Sequence, residues 1–344
     1  MMKPRLPAEW EAQSGVMLSW PHEGTDWAPI LEHTYPIFAQ IGAVISQDQV
    51  VLNVCANASH QAHVAERLAG LSARPEHLRF AISPSNDTWA RDHAPITTLL
   101  NGQPVLNDFG FDGWGRKFPA ELDNGINRQL AAQNVFGSAG MHTHSLVLEG
   151  GAIETDGQGT LLATRSSVLD KTRNPNRSDE EIESLLREVL GIERFLWLDH
   201  GNLSGDDTDA HIDILARFTD RNTIVYSSAP KGDADHEQLQ AMYQQLCSFR
   251  NPHGEPYRLR ELPFPGILRD EDGRRLPAGY ANFLITNHRV LLPVYGVETD
   301  QQAIRLMQEC FPGRRIEPID CRTVIGQNGS LHCLTMQFPA AVKI

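Results

Sequence analysis

Residues 144–166 read HSLVLEGGAIETDGQGTLLATRS, two largely apolar runs on either side of a glycine-containing turn at 156–159. Runs of aliphatic and β-branched residues that flank such a turn predict a β-hairpin. We place its strands over 144–154 and 160–166.

A helix is predicted after this hairpin. Ser178 and Glu181 match a capping box, in which a serine and a glutamate three residues later bind the first free N–H groups of a helix. Apolar residues recur at helical spacing over 182–190, and Gly191 is the glycine that typically ends a helix. A hairpin followed by a helix is therefore the predicted building unit.

The rest of the chain repeats this alternation. Further hairpins are predicted at 211–219 with 223–228 and at 281–286 with 289–295, and further helices at 235–249 and 301–311. No linker or low-complexity run divides the chain, which indicates one compact domain over 1–344. The order predicts a mixed α/β protein of similar units rather than a single doubly wound sheet.

The 344-residue chain carries a net charge of −13. This charge argues against a nucleic-acid partner, because phosphate binding needs clustered lysine and arginine. An acidic protein attracts small cations at long range, but acidity also serves general solubility. The charge alone therefore identifies no function.

The N-terminus and the cysteines bear on the cellular compartment. Residues 1–10, MMKPRLPAEW, lack the apolar core of a signal peptide, and no stretch approaches the ~18 apolar residues of a membrane span. We expect a soluble, cytoplasmic protein without a membrane partner. The five cysteines lack CxxC spacing, which argues against a disulfide framework and a zinc ribbon.

Four segments combine reactive polar residues with apolar neighbours. They are 86–95 (NDTWARDHAP), 148–154 (LEGGAIE), 205–213 (GDDTDAHID) and 326–335 (GQNGSLHCLT). Together they supply a thiol, imidazoles and several carboxylates. A cysteine nucleophile needs a histidine and an orienting acid, and carboxylates bind a guanidinium group through paired N–H bonds. A guanidinium hydrolase would need this combination of groups.

Each of these groups also has a structural explanation. Cys333 follows a glycine-containing turn beside His332, where packing and reactivity are both open. Cys247 and Cys310 fall on inward positions of predicted helices, which favours buried packing. The same explanation is preferred for the remaining two cysteines, Cys55 and Cys321.

The acidic segment 205–213 permits two interpretations. If it is a strand, His211 and Asp213 share one face and reach the same pocket. The segment does not fit a calcium-binding EF-hand, because the required glycine and terminal glutamate are missing. A transition-metal site of Asp207, Asp209, His211 and Asp213, and with it a metal-dependent hydrolase, stays open.

Taken in order, the motifs resemble one family nearly from end to end: the agmatine deiminases, grouped with the bacterial-type peptidyl-arginine deiminases. The resemblance is carried by 7–11 (PAEWE), 20–22 (WPH), 86–92 (NDTWARD), 109–115 (FGFDGWG), 148–151 (LEGG), 206–213 (DDTDAHID) and 332–335 (HCLT). Any one of these motifs is weak, but their order is highly specific.

The resemblance implies a fold and a set of site residues. The fold would be a five-bladed, pseudo-symmetric α/β propeller of ββαβ units around a central active-site pocket. Cys333 would be the nucleophile, His211 the general acid and base, and Glu149 its carboxylate partner. Asp92 and Asp213 would hold the guanidinium group. The motifs also contain two candidate substrate-binding residues, Trp89 and Trp114.

The resemblance also implies a reaction. A small cationic guanidine would be deiminated through a covalent thiouronium on the cysteine, without a metal or an organic cofactor. Agmatine would give N-carbamoylputrescine and ammonia. Alternatives are deimination of arginine, free or at a peptide C-terminus, and amidino transfer on the same fold. Arg116 and Arg173 are possible partners for an arginine carboxylate. A homodimer is a compatible assembly.

The departures from the family pattern and the spacing of the site residues both bear on this interpretation. The sequence departs from the family pattern at 327–333 (QNGSLHC) and 111–114 (FDGW), which bears on the substrate rather than on the reaction. The spacing supports a five-unit fold: 57 residues separate Asp92 from Glu149, 62 separate Glu149 from His211, and 120 separate Asp213 from Cys333.

Overall fold

The structure, a computed structural model, describes residues 3–344 and contains sixteen strands in that range. They are β1 (Gln13–Ser19), β2 (Val50–Cys55), β3 (Leu78–Ile82), β4 (Ile96–Leu100), β5 (Gln103–Gly110), β6 (Gly140–Val147), β7 (Ile153–Thr155), β8 (Thr160–Thr164), β9 (Arg194–Leu198), β10 (Ala216–Asp220), β11 (Thr223–Tyr226), β12 (Arg258–Glu261), β13 (Leu284–Ile285), β14 (Arg289–Val294), β15 (Arg315–Asp320) and β16 (Thr335–Pro339).

Nine α-helices lie between these strands in the same range. They are α1 (Leu31–Ser46), α2 (Ala58–Ala69), α3 (Ala90–His93), α4 (Gly113–Arg116), α5 (Ile126–Ala132), α6 (Arg165–Val168), α7 (Asp179–Leu190), α8 (His236–Ser248) and α9 (Asp300–Cys310). Within residues 3–344, no helix is both long enough and apolar enough to cross a membrane.

The strands form five separate sheets with one recurring topology. In each of four sheets, two antiparallel strands are followed by one or more helices and a third strand parallel to the second, as in β7, β8 and β9. The fifth sheet begins with β16, which pairs antiparallel with β1, continues with β2 parallel to β1, and adds a fourth strand, β3, parallel to β2. The predicted mixed α/β architecture of similar units is confirmed, and five such sheets are consistent with five-fold pseudo-symmetry.

The predicted capping box is confirmed at the start of α7. The Ser178 hydroxyl accepts from the Glu181 N–H at 3.2 Å, and the Ser178 N–H donates to the Glu181 carboxylate at 2.7 Å. Gly191 ends the helix with φ of 73°, a conformation that glycine adopts without a steric cost.

The predicted strand over 144–154 is wrong. Residues 144–147 complete β6, which pairs with β5, whereas β7 is only three residues long and pairs with β8. The interruption has a steric cause, because a Cβ atom at Gly150 would lie 2.2 Å from the Arg91 carbonyl oxygen. The chain passes too close to α3 at this point to continue as a regular strand.

Two other predicted strands are shorter than expected. Residues 212–214 form a 3₁₀ turn, so β10 begins only at 216, and β13 covers only 284–285 instead of 281–286. In both cases the missing residues lie where the chain passes from one sheet to the next.

The cysteine positions are only partly as predicted. Cys55 and Cys321 are buried, but Cys310 is half-buried and Cys247 is exposed. Helix α8 buries its predicted stripe, Leu239, Met242 and Leu246. Cys247 is exposed because one residue rotates the side chain about 100° around a helix, away from the stripe.

The close approach at Gly191 generates a test of the fold. A Cβ atom there would lie 1.8 Å from the Pro4 carbonyl oxygen, whereas Gly102, with φ of 76°, has no atom within 4 Å. Both Gly→Ala changes carry a similar backbone strain of about 1 kcal/mol. We expect Gly191→Ala to cost about 2 kcal/mol more in unfolding free energy than the matched control Gly102→Ala. Equal losses of unfolding free energy in urea denaturation would show that the backbone at Pro4 moves away from the new Cβ atom at no cost.

Candidate active site

The candidate site residues lie on the connections between consecutive sheets. Asp92 is on α3, between β3 and β4, and Glu149 follows β6. His211 and Asp213 follow β9, and Cys333 precedes β16. Four of the five connections therefore carry a residue that the sequence predicted.

The fifth connection, between β12 and β13, carries Asn282, which sequence reasoning missed. Its Nδ2 donates to Cys333 Sγ at 3.1 Å, and its Oδ1 accepts from the His332 N–H at 2.9 Å. A signal was present, because the 120 residues between Asp213 and Cys333 are about twice the other spacings and left one unit empty. Asn282 lies outside the recognised motifs, and its residue type alone did not indicate a contact with the thiol.

The Cys333 thiol is buried among polar partners. Besides Asn282, it contacts Asp213 Oδ2 at 3.4 Å, and only 6% of the residue is exposed. Burial, followed by the charges of Asp213 and Asp92, raises the pKa of this thiol well above its usual value. In the absence of a bound cation, Cys333 is therefore a protonated thiol.

Asp213 is positioned by the 3₁₀ turn at 212–214 rather than by a strand, so the predicted strand-face argument for His211 and Asp213 is wrong. One carboxylate oxygen, Oδ2, accepts from His332 Nδ1 at 2.8 Å and faces the Cys333 thiol. The other oxygen, Oδ1, is buried and has no hydrogen-bond partner within residues 3–344. Asp213 therefore offers one unoccupied acceptor beside the thiol.

Asp92 is oriented by two donors. Trp114 Nε1 donates to Oδ2 and the Gly151 N–H donates to Oδ1, both at 3.0 Å. A Cβ atom at Gly151 would lie 2.8 Å from Asp92 Oδ1 and 2.8 Å from His211 Nδ1, so only glycine fits here. Burial raises the pKa of Asp92 to about 6, and the charges of Asp213 and Glu149 act in the same direction.

His211 lies between two carboxylates. Its Nδ1 is 3.7 Å from Asp92 Oδ1, and its Nε2 is 3.7 Å from Glu149 Oε2. Neither nitrogen has a hydrogen-bond partner in the described part of the chain. Burial opposes protonation, but the charges of Asp92 and Glu149 outweigh it and raise the pKa of His211 to about 9. This histidine is therefore an imidazolium at neutral pH.

Glu149 is held by Arg173, a residue whose role the sequence left open. Arg173 Nε donates to both carboxylate oxygens at 2.7 and 3.0 Å, and its Nη1 donates to Asp209 at 2.8 Å. Both Glu149 and Arg173 are buried. Because Arg173 donates to the carboxylates of Glu149 and Asp209, it does not bind a substrate carboxylate.

A pocket opens onto these groups. Cys333, Asp92 and Asp213 line it together with the two predicted aromatic residues, Trp89 and Trp114. The lining also contains four further acids, Asp26, Asp87, Asp206 and Asp207. His211 and Glu149 do not line the pocket, but His211 Nδ1 lies 3.7 Å from Oδ1 of Asp92, which does.

Among the described residues, no lysine, arginine or histidine lines this pocket. Arg116, the other arginine that sequence analysis left open, has 72% of its side chain exposed and lies 3.8 Å from Asp112. The charged side chains on the pocket wall are therefore all negative, and they lie beside aromatic rings. Both features favour the binding of a cation.

The acidic segment does not form the transition-metal site that its spacing allowed. Asp207 accepts from Asn328, and Asp209 accepts from Lys117 and Arg173. No group of three or more histidine, cysteine, aspartate or glutamate side chains within residues 3–344 has an arrangement that could hold a metal ion.

Comparison with known proteins adds independent information. The sequence profile of the Porphyromonas-type peptidyl-arginine deiminases matches residues 5–339. A Shewanella protein (strain W3-18-1) named "Putative agmatine deiminase" is 32% identical, over 97% of this chain and 94% of its own length.

Two solved structures are similar over nearly their whole length. A "Putative Arginine Deiminase" from Porphyromonas gingivalis is 44% identical, with a TM-score of 0.92, over 99% of this chain and 100% of that chain. A cysteine-to-serine variant of the C. jejuni agmatine deiminase with substrate bound is 33% identical, with a TM-score of 0.91, over 99% and 97%.

The environment of Cys333 predicts a thiol that ionises late. We expect the difference in thiolate ultraviolet absorbance between the unsubstituted protein and Cys333→Ser to stay near zero below about pH 9, because burial and two carboxylates disfavour the anion. Subtracting the variant removes the contribution of the other four cysteines. Thiolate absorbance that develops near neutral pH would contradict this assignment.

Proposed function

Because the chain belongs to the Porphyromonas-type peptidyl-arginine deiminase family and is a hydrolase of amidine C–N bonds, we propose that it deiminates agmatine to N-carbamoylputrescine and ammonia. The observation that carries the proposal is the buried thiol of Cys333 beside Asp92 and Asp213, in a pocket with acidic and aromatic walls. In this proposal Cys333 is the nucleophile, His211 the general acid and base, and Glu149 its carboxylate partner.

Binding is the first step. The guanidinium group is planar and cationic, and it donates N–H bonds to Asp92 and to the unoccupied Oδ1 of Asp213. These bonds bring its central carbon to the Cys333 sulfur. A cation beside the thiol favours the thiolate, so the bound substrate lowers the pKa of Cys333 that the carboxylates had raised, and the thiol releases its proton to solvent.

Ammonia leaves in the second step. The thiolate attacks the central carbon and forms a neutral tetrahedral adduct. His211, held as an imidazolium by Asp92 and Glu149, transfers a proton to one nitrogen of the adduct, and ammonia departs. A cationic thiouronium remains on Cys333.

Water completes the reaction. His211, now neutral, accepts a proton from a water molecule, and the hydroxide adds to the thiouronium carbon. The hydroxyl proton of the adduct passes to the departing sulfur as the C–S bond breaks, which restores the Cys333 thiol. The product carries a neutral ureido group, which no longer matches two carboxylates and is released.

We further propose that the five units close into a propeller around this pocket. Two observations support the closure. The residues proposed to act come from four of the five connections between sheets and Asn282, which contacts Cys333, from the fifth, while the pairing of β16 with β1 joins the two ends of the chain.

Agmatine is preferred over arginine because of the charge at the pocket wall. The two compounds differ by the α-carboxylate of arginine, which would face acidic residues with no basic residue among the described lining. Relatives named as agmatine deiminases support this choice. Arginine is the second candidate, because the P. gingivalis neighbour is named for it.

The nucleophile assignment is tested by Cys333→Ser. We expect binding of agmatine to persist and turnover to fall at least about a thousandfold, since a serine hydroxyl is far less acidic than a thiol. Ureido product and isothermal titration measure the two effects. Cys247→Ala, at an exposed cysteine, is the matched control and should keep full turnover. Residual turnover within about tenfold would remove Cys333 from the mechanism.

Substrate choice is tested with four guanidines that differ only in the tail. Agmatine carries an ammonium, butylguanidine no charge, 4-guanidinobutyrate a carboxylate, and arginine both charges. We expect kcat/KM to fall in the order agmatine, butylguanidine, 4-guanidinobutyrate, with arginine at least about a hundredfold below agmatine, equivalent to roughly 2.7 kcal/mol. Arginine turnover comparable with that of agmatine would overturn the agmatine proposal but not deimination.

A further inference from the structure

A second buried cluster lies directly behind the candidate active site. The imidazole of His332 bridges two carboxylates: Nδ1 is 2.8 Å from Asp213 Oδ2, and Nε2 is 2.8 Å from Glu9 Oε2. All three residues are buried. Glu9 thereby connects the N-terminal segment to Asp213, the proposed guanidinium ligand, through a single side chain.

These distances constrain the protons of the cluster. A carboxylate oxygen accepts hydrogen bonds, and a neutral imidazole has only one N–H. If His332 were neutral, one nitrogen lone pair would face a carboxylate lone pair at 2.8 Å. Both contacts are favourable when both nitrogens carry a proton, which makes His332 an imidazolium with two charge-assisted bonds.

The same cluster contains two arginines and a third carboxylate. Arg217 donates to Glu9 Oε2 at 2.9 Å and to Glu154 Oε2 at 2.7 Å, and Arg91 Nη2 is 3.8 Å from Glu9. Three carboxylates, those of Glu9, Glu154 and Asp213, thus face two guanidinium groups. Burial raises the pKa of Glu154 to about 7, and while Glu154 is ionised one further positive charge on His332 makes the buried cluster neutral.

The groups that face His332 act in opposite directions on its charge. Burial, Arg217 and Arg91 outweigh Glu9 and Asp213 and lower the pKa of His332, so the imidazolium rests on the two 2.8 Å contacts of its nitrogens with carboxylate oxygens. Removal of Glu9 would leave the His332 imidazolium with one carboxylate partner, Asp213, which also contacts the thiol of Cys333.

We propose that Glu9 and His332 are positioning residues for the deimination reaction: Glu9 holds His332 as an imidazolium, and His332 holds Asp213 as an ionised carboxylate with Oδ1 directed to the guanidinium group. This inference rests on the proposed function. Neither residue needs to touch the substrate, since both act through Asp213.

Kinetics test the proposal with Glu9→Gln, His332→Gln and the double variant. We expect Glu9→Gln to lower kcat/KM for agmatine at least about thirtyfold and to shift the acid limb of its pH profile upward. The sign follows because Asp213 is active when ionised, and losing a cationic neighbour raises its pKa. The double variant should lose no more than about threefold beyond His332→Gln, because Glu9 acts through His332.

Glu11→Gln is the matched control. Glu11 lies two residues along the same segment and pairs with Arg5, away from His332, so its loss should leave the pH profile unchanged. Multiplicative losses in the double variant, or an unshifted acid limb in Glu9→Gln, would overturn the proposal. Thermal melts separate both results from unfolding.

Nitrogen-15 NMR provides a second test that needs no substrate and no folded variant of Glu9. In protein labelled at histidine, we expect both His332 nitrogens to show protonated shifts at neutral pH, with the signal assigned by its loss in His332→Gln. A neutral ring with one unprotonated nitrogen would overturn the proposal. This readout stands even if agmatine is not hydrolysed, an outcome that would instead remove the proposed function.

Discussion

The site depends on negative charge buried next to a thiol. Asp92 and Asp213 are almost entirely removed from water, and burying an unpaired carboxylate costs several kcal/mol. Asp92 is compensated by an indole N–H and a backbone N–H, and Asp213 by His332, but one oxygen of Asp213 has no partner within residues 3–344. A planar cation with several N–H donors would supply the missing bonds and the opposing charge at once.

The fold makes this concentration of charge possible by collecting residues that are far apart in the chain. Each connection between sheets contributes a side chain, so the carboxylates come together through the packing of the sheets and not through closeness in the sequence. Glycine is required where these connections touch: Gly150 lies against the Arg91 carbonyl, and Gly151 against both Asp92 and His211. The same crowding that ends the regular strands early therefore brings the reactive groups into contact.

This arrangement explains what could be predicted from the sequence. Local patterns gave α7 with both of its caps and the alternation of hairpins and helices, because hydrogen bonds between near neighbours define these features. The motifs gave the candidate residues. The end of the strand predicted over 144–154 was misjudged because Gly150 makes a tertiary contact with the Arg91 carbonyl oxygen. The ion pair of Arg173 with Glu149 could not be found and Asn282 left only a gap in the spacing, because each contact joins residues that are distant in the chain and has no local signature.

In the proposed mechanism, the charges that recognise the substrate also control the nucleophile, and the binding and activation steps belong to that mechanism. The carboxylates of Asp213 and Asp92 raise the pKa of Cys333, so the thiol is protonated and weakly reactive while the pocket holds no cation. A bound guanidinium group reverses the sign of the local field and stabilises the thiolate at the moment when its carbon is within reach. Recognition and activation therefore rest on the same two side chains. A neutral analogue of the right shape would fill the pocket without generating the thiolate. The site would therefore discriminate between cationic and neutral compounds by reactivity as well as by affinity.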